Sequence, residues 1–310
     1  MEHRNRNSSR RREFLALAGL AAAGSRIIRA QKLAQPQIGI LLAGTYNTGT
    51  LEARLDEARA HGLACVQISM TCVGLPEMPD EIPAGLPARF HKEAAARGIS
   101  IASVQGTFNM CHPDPEHRRA GLKRLRVLAE AFPQKPIHIC TGTRDQTSMW
   151  RRHPDNATPE AWRDTVASIR EATEIARQSK SVLAFEPEIN NVVNSARNAR
   201  RLLDEIGSPH LKVTMDPANI YPAGTLPRMK EIMEEAFTLL GKDIALAHAK
   251  DLDHDGDAGH KAAGEGLLDY DLYMRLLRAH RFTGPLLLHG LTRAQVPACI
   301  AFLKAKLARA

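Results

Sequence analysis

The sequence predicts a single-domain (β/α)8 barrel. Eight short apolar runs recur between Gln37 and Gly290, and helix-like segments with capping residues lie between them. The runs are apolar throughout rather than alternating in polarity, so both faces of each strand should be covered. Eight such units in about 270 residues favour parallel strands joined by right-handed crossovers. The alternative, a doubly wound open sheet, lacks its glycine-rich phosphate loop after the first strand.

The predicted strands follow directly from the apolar runs. In chain order they are QIGILLAG (37–44), ACVQISM (64–70), ISIASVQG (99–106), PIHICTG (136–142), SVLAFEPE (181–188), LKVTMDP (211–217), IALAHAKD (244–251) and PLLLHG (285–290).

Helix boundaries are marked by capping residues. Thr158 can cap a helix that has Pro159 in its first turn, and Ser195 can cap the next one, with Gly207 as its stop. After the last run, Thr292 and Gln295 have the spacing of a capping box. These helices complete the barrel, which we expect to span residues 37–308.

Residues 1–30 predict an export signal. They contain seven arginines and two glutamates, a net charge of +5, followed by a short apolar stretch. The pair Arg11-Arg12 before Glu13-Phe14-Leu15 resembles a twin-arginine signal, so we expect an exported, periplasmic protein from a bacterium, cleaved after Ala30 or near Gly24. A disordered basic arm is the alternative. Only +3 of the total charge of +8 remains for the rest of the chain, which argues against a nucleic-acid partner.

Four consecutive runs end in polar side chains. The fifth ends in Glu186, the sixth in Asp216, the seventh in His248 and the eighth in His289. The carboxyl ends of barrel strands form one face, so these four side chains should meet there. A mixed nitrogen and oxygen set suits Mn, Co, Zn or Fe(II), with Mg a further option, and is too rich in nitrogen for a calcium site. The sequence therefore predicts one divalent metal ion.

The motifs FEPE, MDPAN, HAKD and HKAAGEGLLDY, in this order, resemble the xylose isomerase-like TIM barrel superfamily. This is the sugar phosphate isomerase/epimerase group that also includes endonuclease IV. The resemblance covers roughly residues 37–305. It implies that Glu186, Asp216 and His248 are metal ligands and that the fourth ligand is a glutamate. His289 occupies that fourth position here.

Because His289 replaces the second glutamate, the second acid/base group is not identified by the resemblance. In the resembled epimerases two metal-bound glutamates remove and return a proton beside a carbonyl, and Glu186 can be one of them. The partner could be His289, Lys250, Glu188 or a metal-bound water. A neutral ligand in place of a carboxylate should also leave the ion a stronger Lewis acid.

Further polar residues are expected to line a sugar pocket. Asn219 stands where several resembled enzymes have a histidine, and an amide there can contact a hydroxyl. His260 has the spacing of a second-metal histidine in endonuclease IV, but Ala258 replaces the expected aspartate, so a multi-metal cluster looks incomplete. Asn109 and His112 can line the mouth or cap their loop. The expected substrate-binding residues are Glu188, Asn219, His112, Asn109, His254 and His260.

The leading hypothesis is a metal-dependent sugar isomerase or epimerase that acts through an enediolate. A lyase or hydrolase of oxidised glycosides would use the same proton abstraction. A non-catalytic carbohydrate-binding barrel is a further alternative, and an endonuclease-like phosphodiesterase is disfavoured by the charge and the incomplete ligand set. We expect a small sugar as partner, no stable membrane anchor after processing and a possible homo-oligomer.

Overall fold

In the computed structural model, residues 35–310 are described, and they form a closed (β/α)8 barrel. The fold predicted from the sequence is confirmed. The export signal predicted for residues 1–30 lies outside the described residues. Within residues 35–310, every helix is too short or too polar to cross a membrane.

Eight parallel strands build the barrel wall. Each pairs with its neighbour in parallel register, and the ring closes where β9 pairs with both β1 and β7. The two-residue strand β8 lies outside this ring and pairs antiparallel with the end of β7. The strands are β1 (Gln37–Leu41), β2 (Cys65–Ile68), β3 (Ser100–Gln105), β4 (Ile137–Cys140), β5 (Leu183–Glu186), β6 (Leu211–Met215), β7 (Ile244–Asp251), β8 (Lys261–Ala262) and β9 (Pro285–Leu288).

Helices cover the outside of the wall, which explains why the strands are apolar on both faces. All four residues of β2, of β4 and of β5 are buried. The α-helices within residues 35–310 are α1 (Leu42–Thr45), α2 (Leu51–Ala60), α3 (Leu86–Ala96), α4 (Pro115–Ala131), α5 (Pro159–Gln178), α6 (Ala196–Ile206), α7 (Met229–Leu240), α8 (Tyr270–Ala279) and α9 (Val296–Arg309).

The predicted capping residues act as caps. The Thr158 hydroxyl accepts a hydrogen bond from the Ala161 N–H at the start of α5, and Ser195 does the same for α6. Gly207 ends α6 in the left-handed region, with φ of 64°. Thr292 and Gln295 form the expected capping box, but a short 3-10 turn separates it from α9. These ends fix the length of each crossover and bring all strand ends to one mouth.

Candidate functional site

Four side chains meet at the carboxyl ends of β5, β6, β7 and β9. Glu186 is the last residue of β5, and His248 lies in β7. Asp216 directly follows β6, and His289 directly follows β9. The side chains of Glu186, Asp216 and His248 are at most 5% exposed, whereas His289 is 30% exposed. The site is therefore buried and opens toward solvent on the His289 side.

The donor atoms of Asp216, His248 and His289 all lie within 4.8 Å of one another, and Glu186 approaches this group beside His248. Asp216 Oδ2 lies 3.6 Å from His248 Nδ1 and 3.8 Å from His289 Nδ1, and Glu186 Oε2 lies 3.6 Å from His248 Nδ1. Ligands about 2.1 Å from a tetrahedral ion would be roughly 3.4 Å apart, close to these separations. The spacing thus fits a single small cation.

Three of the four donors lack a hydrogen bond. Asp216 Oδ2, His248 Nδ1 and His289 Nδ1 are buried without a hydrogen-bond partner among residues 35–310. Buried polar atoms are normally satisfied, so a cluster of such atoms at one point calls for an explanation. A cation bound between them supplies one, and the residues present therefore fit a divalent metal ion.

Lys250 brings a positive charge to the same carboxylate. It lies two residues after His248 on β7, and its Nζ is 3.2 Å from Asp216 Oδ2. Burial by itself would lower the pKa of Lys250, but the charges of Asp216, Glu186 and Glu188 raise it above its ordinary value. The side chain is therefore an ammonium, which can donate a proton or stabilise negative charge but is not a ready base.

The two buried carboxyl groups have opposite pKa shifts. Burial, together with the nearby Asp216 carboxylate, raises the pKa of Glu186 well above its ordinary value. Burial alone would also raise the pKa of Asp216, but the Lys250 ammonium and the nearby His248 and His289 rings hold it well below its ordinary value. Negative charge is thus concentrated on Asp216, while Glu186 readily holds a proton.

Two neighbours hold the Glu186 carboxyl in place. The Asn219 amide donates a hydrogen bond to Glu186 Oε1, and the Asn219 carbonyl accepts one from the Gly259 N–H at 3.0 Å. On the other side, His138 Nε2 lies 3.5 Å from Glu186 Oε2. Asn219, predicted as a substrate contact, therefore has both its polar groups engaged within the protein.

His138 is a part of this arrangement that the sequence analysis did not identify. Its Nδ1 is 3.0 Å from the Thr214 hydroxyl, which itself donates to the Ala184 carbonyl. That geometry places the imidazole proton on Nδ1 and leaves a lone pair on Nε2, facing Glu186. Burial, mainly, lowers the pKa of His138 well below its ordinary value and keeps the ring neutral. A proton on Glu186 or a cation beside it would satisfy this lone pair.

Glu188, Asn109 and His112 lie in loops around the mouth. The buried Glu188 follows β5, and burial raises its pKa to about 7 despite the opposing charge of Lys250. Asn109 hydrogen-bonds the backbone of Thr143 through both its amide oxygen and its nitrogen. His112 Nε2 is 3.3 Å from the Gln146 carbonyl. Asn109 and His112 therefore brace the loop that follows β4.

His254 and His260 form a separate surface cluster. His254 Nδ1 and His260 Nε2 lie 2.6 and 3.3 Å from the same oxygen of Asp253, and both rings are exposed. The Lys261 ammonium already pairs with the other Asp253 oxygen at 3.0 Å. His260 also lines a cavity of about 580 Å³ together with His289. His254 is absent from the lining of that cavity.

The sequence of this barrel matches a known protein family. The family model described as xylose isomerase-like TIM barrel matches residues 55–305, most of the chain. The chain belongs to this family. No curated protein shows detectable sequence similarity to it.

Several solved structures share this xylose isomerase-like fold. The 3-keto-D-glucoside 4-epimerase YcjR from E. coli is 16% identical, with a TM-score of 0.65, over 87% of this chain and all of its own. D-psicose 3-epimerase from Clostridium cellulolyticum H10 is also 16% identical, with a TM-score of 0.64, over 87% of this chain and 99% of its own. IolI protein with a bound zinc atom is 13% identical, with a TM-score of 0.66, over 88% of this chain and 98% of its own. At these identities the likeness establishes the fold.

In this xylose isomerase-like barrel, the residue that directly follows the eighth barrel strand, β9, is His289, where the sequence resemblance implied a glutamate. Gly290 follows with φ of 67°, in the left-handed region, so the chain leaves the strand direction directly after His289. A Cβ atom there would lie 3.0 Å from Lys250 Cδ. The glycine therefore makes room for the lysine beside the histidine.

Proposed function

We propose that this protein is a divalent-metal-dependent sugar isomerase or epimerase that acts on a ketose or keto-sugar. The observation that carries the proposal is the convergence of unsatisfied donor atoms from Asp216, His248 and His289, beside Glu186, at the mouth of the barrel. Structures with the same fold include a 3-keto-D-glucoside epimerase and a D-psicose epimerase, which supports a sugar as substrate.

Glu186, Asp216, His248 and His289 would hold the ion. Two imidazoles and two carboxylates favour Mn, Co or Zn over Mg, which prefers oxygen ligands. When bound, a divalent ion polarises adjacent carbonyl and hydroxyl oxygens and so acidifies the proton on the carbon between them. The zinc in IolI is a precedent for metal binding on this fold.

Glu186 is the base that we propose for proton abstraction, because the positive charge of a bound ion would lower its raised pKa and leave the carboxyl ionised. Its carboxyl is held from one side by Asn219 and approached from the other by His138, so its orientation is fixed before substrate binds. The Lys250 ammonium, 3.2 Å from Asp216, would stabilise negative charge that develops on a substrate oxygen.

Glu188 is the partner that we propose for returning the proton. Lys250 is held as an ammonium, and His289 directs Nδ1 toward Asp216, which leaves Glu188 as the uncommitted buried carboxyl at the end of β5. The chain thus has a second carboxyl group although the eighth barrel strand lacks the glutamate.

The test is metal content followed by proton exchange. We expect about one transition metal per chain in wild-type protein and a strong loss in His289→Ala, because a first ligand is removed. His91→Ala is the matched control, since His91 is an exposed histidine on α3. Wild-type protein in D2O should then incorporate deuterium beside the carbonyl of a keto-sugar, read by NMR. Absence of metal from both wild type and control would refute the mechanism.

A further inference from the structure

A second cavity opens at the barrel mouth, beside the candidate metal site. It has a volume of about 460 Å³, within the range of small-molecule sites. Its walls come from the loops after β2, β3 and β4 and from the start of α4, whereas the four metal candidates come from β5, β6, β7 and β9. Its lining includes Glu77, Thr107, Gln146, Met149 and Trp150.

This cavity adjoins the proposed catalytic carboxyl groups. Met149 Sδ in its wall lies 3.8 Å from Cys140 Sγ, and Cys140 is the register partner of Glu186 across β4 and β5. Cys140 therefore lies between the cavity and the candidate metal site.

Trp150 forms an exposed aromatic wall of the cavity. It is 40% exposed, and only one other large apolar side chain in residues 35–310, Leu267, is as exposed. An indole left in water has a substantial apolar face to cover. Because Trp150 lies at the barrel mouth, a bound ligand would cover this apolar face.

Internal hydrogen bonds hold the loop that carries Trp150 in place before any ligand binds. Asp145 Oδ1 accepts hydrogen bonds from the Thr147 and Ser148 N–H groups at 2.8 and 2.9 Å. The Asn109 amide donates to the Asp145 carbonyl at 3.3 Å. A braced platform loses little conformational entropy when it binds a ligand.

Polar groups face the same cavity. The Glu77 carboxyl accepts a hydrogen bond from Thr107, and mainly through burial its pKa lies above the ordinary value. Gln146 adds an exposed amide. An aromatic face for the C–H surface of a pyranose, with a carboxyl and an amide for its hydroxyls, is the chemistry of a neutral saccharide site.

We propose that this cavity binds the second sugar unit of a glycoside whose first ring lies at the metal site. This inference rests on the proposed function and narrows its substrate from a free ketose to a neutral glycoside, a disaccharide or larger, whose first ring carries the carbonyl. Trp150 stacks on the second ring, and Glu77 accepts hydrogen bonds from that ring's hydroxyls.

The test uses the fluorescence of Trp150 itself. The chain has two tryptophans, so Trp162→Phe leaves Trp150 as the sole indole reporter. Cellobiose, maltose, trehalose and glucose are titrated separately into this variant. We expect at least one disaccharide to change the emission saturably, with a Kd about tenfold below that of glucose, which corresponds to roughly 1.4 kcal/mol.

Calorimetric titration of otherwise wild-type protein supplies the controls. Trp150→Ala should bring the disaccharide and glucose affinities within about twofold of each other, consistent with loss of an aromatic contact. Leu267→Ala, which truncates the other exposed apolar side chain, should keep the preference. The proposal is overturned if no disaccharide changes the emission, if Trp150→Ala keeps the preference, or if that variant instead dissociates an oligomer in light scattering.

The Asp216→Ala variant separates the two proposals. It removes a metal candidate but leaves every wall of the cavity intact, so the response of Trp150 to disaccharide should persist in the Trp162→Phe background. If the proposed function fails, metal and proton exchange are absent while this response remains. If the subsite fails, metal and exchange are present without any preference for a disaccharide.

Discussion

At the scale of single residues, His138 has the least expected role. It lies 3.5 Å from Glu186 through Nε2 and is oriented by Thr214 through Nδ1, so its Nε2 lone pair faces the carboxyl beside the candidate metal site. We predict that His138→Ala weakens zinc or manganese binding about 10- to 100-fold, measured by competition with a chromophoric chelator. The proposed base would then also be less well oriented.

A second variant distinguishes this role from general destabilisation. Thr214→Val keeps the imidazole but removes the group that selects its tautomer, so metal affinity should fall in the same direction by a smaller factor. Thermal unfolding of both metal-free variants reports the structural cost separately. A folded His138→Ala protein with wild-type metal affinity would contradict the prediction.

The sequence identified the residues at strand ends better than those inside strands. Glu186, Asp216, His248 and His289 each close an apolar run, and barrel topology alone requires such residues to share a face. Their roles remain predictions, but their proximity follows from the fold. His138 lies inside the run PIHICTG, and its contact with Glu186 depends on the register of β4 against β5. No sequence pattern specifies that register.

At the scale of elements, Asp243 joins three pieces of the wall. It lies just before β7 and accepts hydrogen bonds from Arg200 of α6 at 2.7 Å and from Lys212 of β6 at 2.8 Å. Burial alone would raise the pKa of Asp243, but hydrogen bonds from Lys212 and Arg200 hold it below the ordinary value. This carboxylate fixes one crossover against the barrel.

We predict that Asp243→Asn lowers the free energy of unfolding by about 1.5–3 kcal/mol at pH 7, measured by urea denaturation. Because the folded pKa is depressed, the contribution is present above the unfolded pKa of about 4 and is lost as pH falls through the lower folded value. The difference in the free energy of unfolding between wild type and variant should therefore disappear in acid. Glu160→Gln, which breaks an exposed ion pair with Arg163, should lower the free energy of unfolding much less because solvent screens that pair. Equal losses of unfolding free energy in both variants would argue against a special contribution from the hydrogen bonds of Asp243 to Arg200 and Lys212.

Local sequence signals predicted the helix ends well and the irregular elements poorly. Thr158, Ser195 and Thr292 act through hydrogen bonds to residues at most three positions away, so their spacing is readable. The two-residue strand β8 has no such pattern, because it forms only by pairing with the end of β7. Its position depends on the complete loop between residues 252 and 260 and was therefore not predicted.

At the scale of the whole molecule, the candidate metal site joins the strands that close the barrel. Its donors come from β5, β6, β7 and β9, and β9 links β7 to β1. An ion that binds only the folded barrel stabilises all of these strands together. Metal binding should therefore change global unfolding rather than the melting of one loop.

We predict that zinc or manganese at 100 to 1,000 times its dissociation constant raises the free energy of unfolding by about 2.7–4.1 kcal/mol. The increase should appear in one cooperative transition, followed by circular dichroism, and a chelator should reverse it. His289→Ala should lose most of this increase, whereas His91→Ala should keep it. If His289→Ala keeps the full increase and His254→Ala loses it, the ion binds the surface cluster of Asp253, His254 and His260 instead. The buried donors of Asp216 and His248 would then need another explanation.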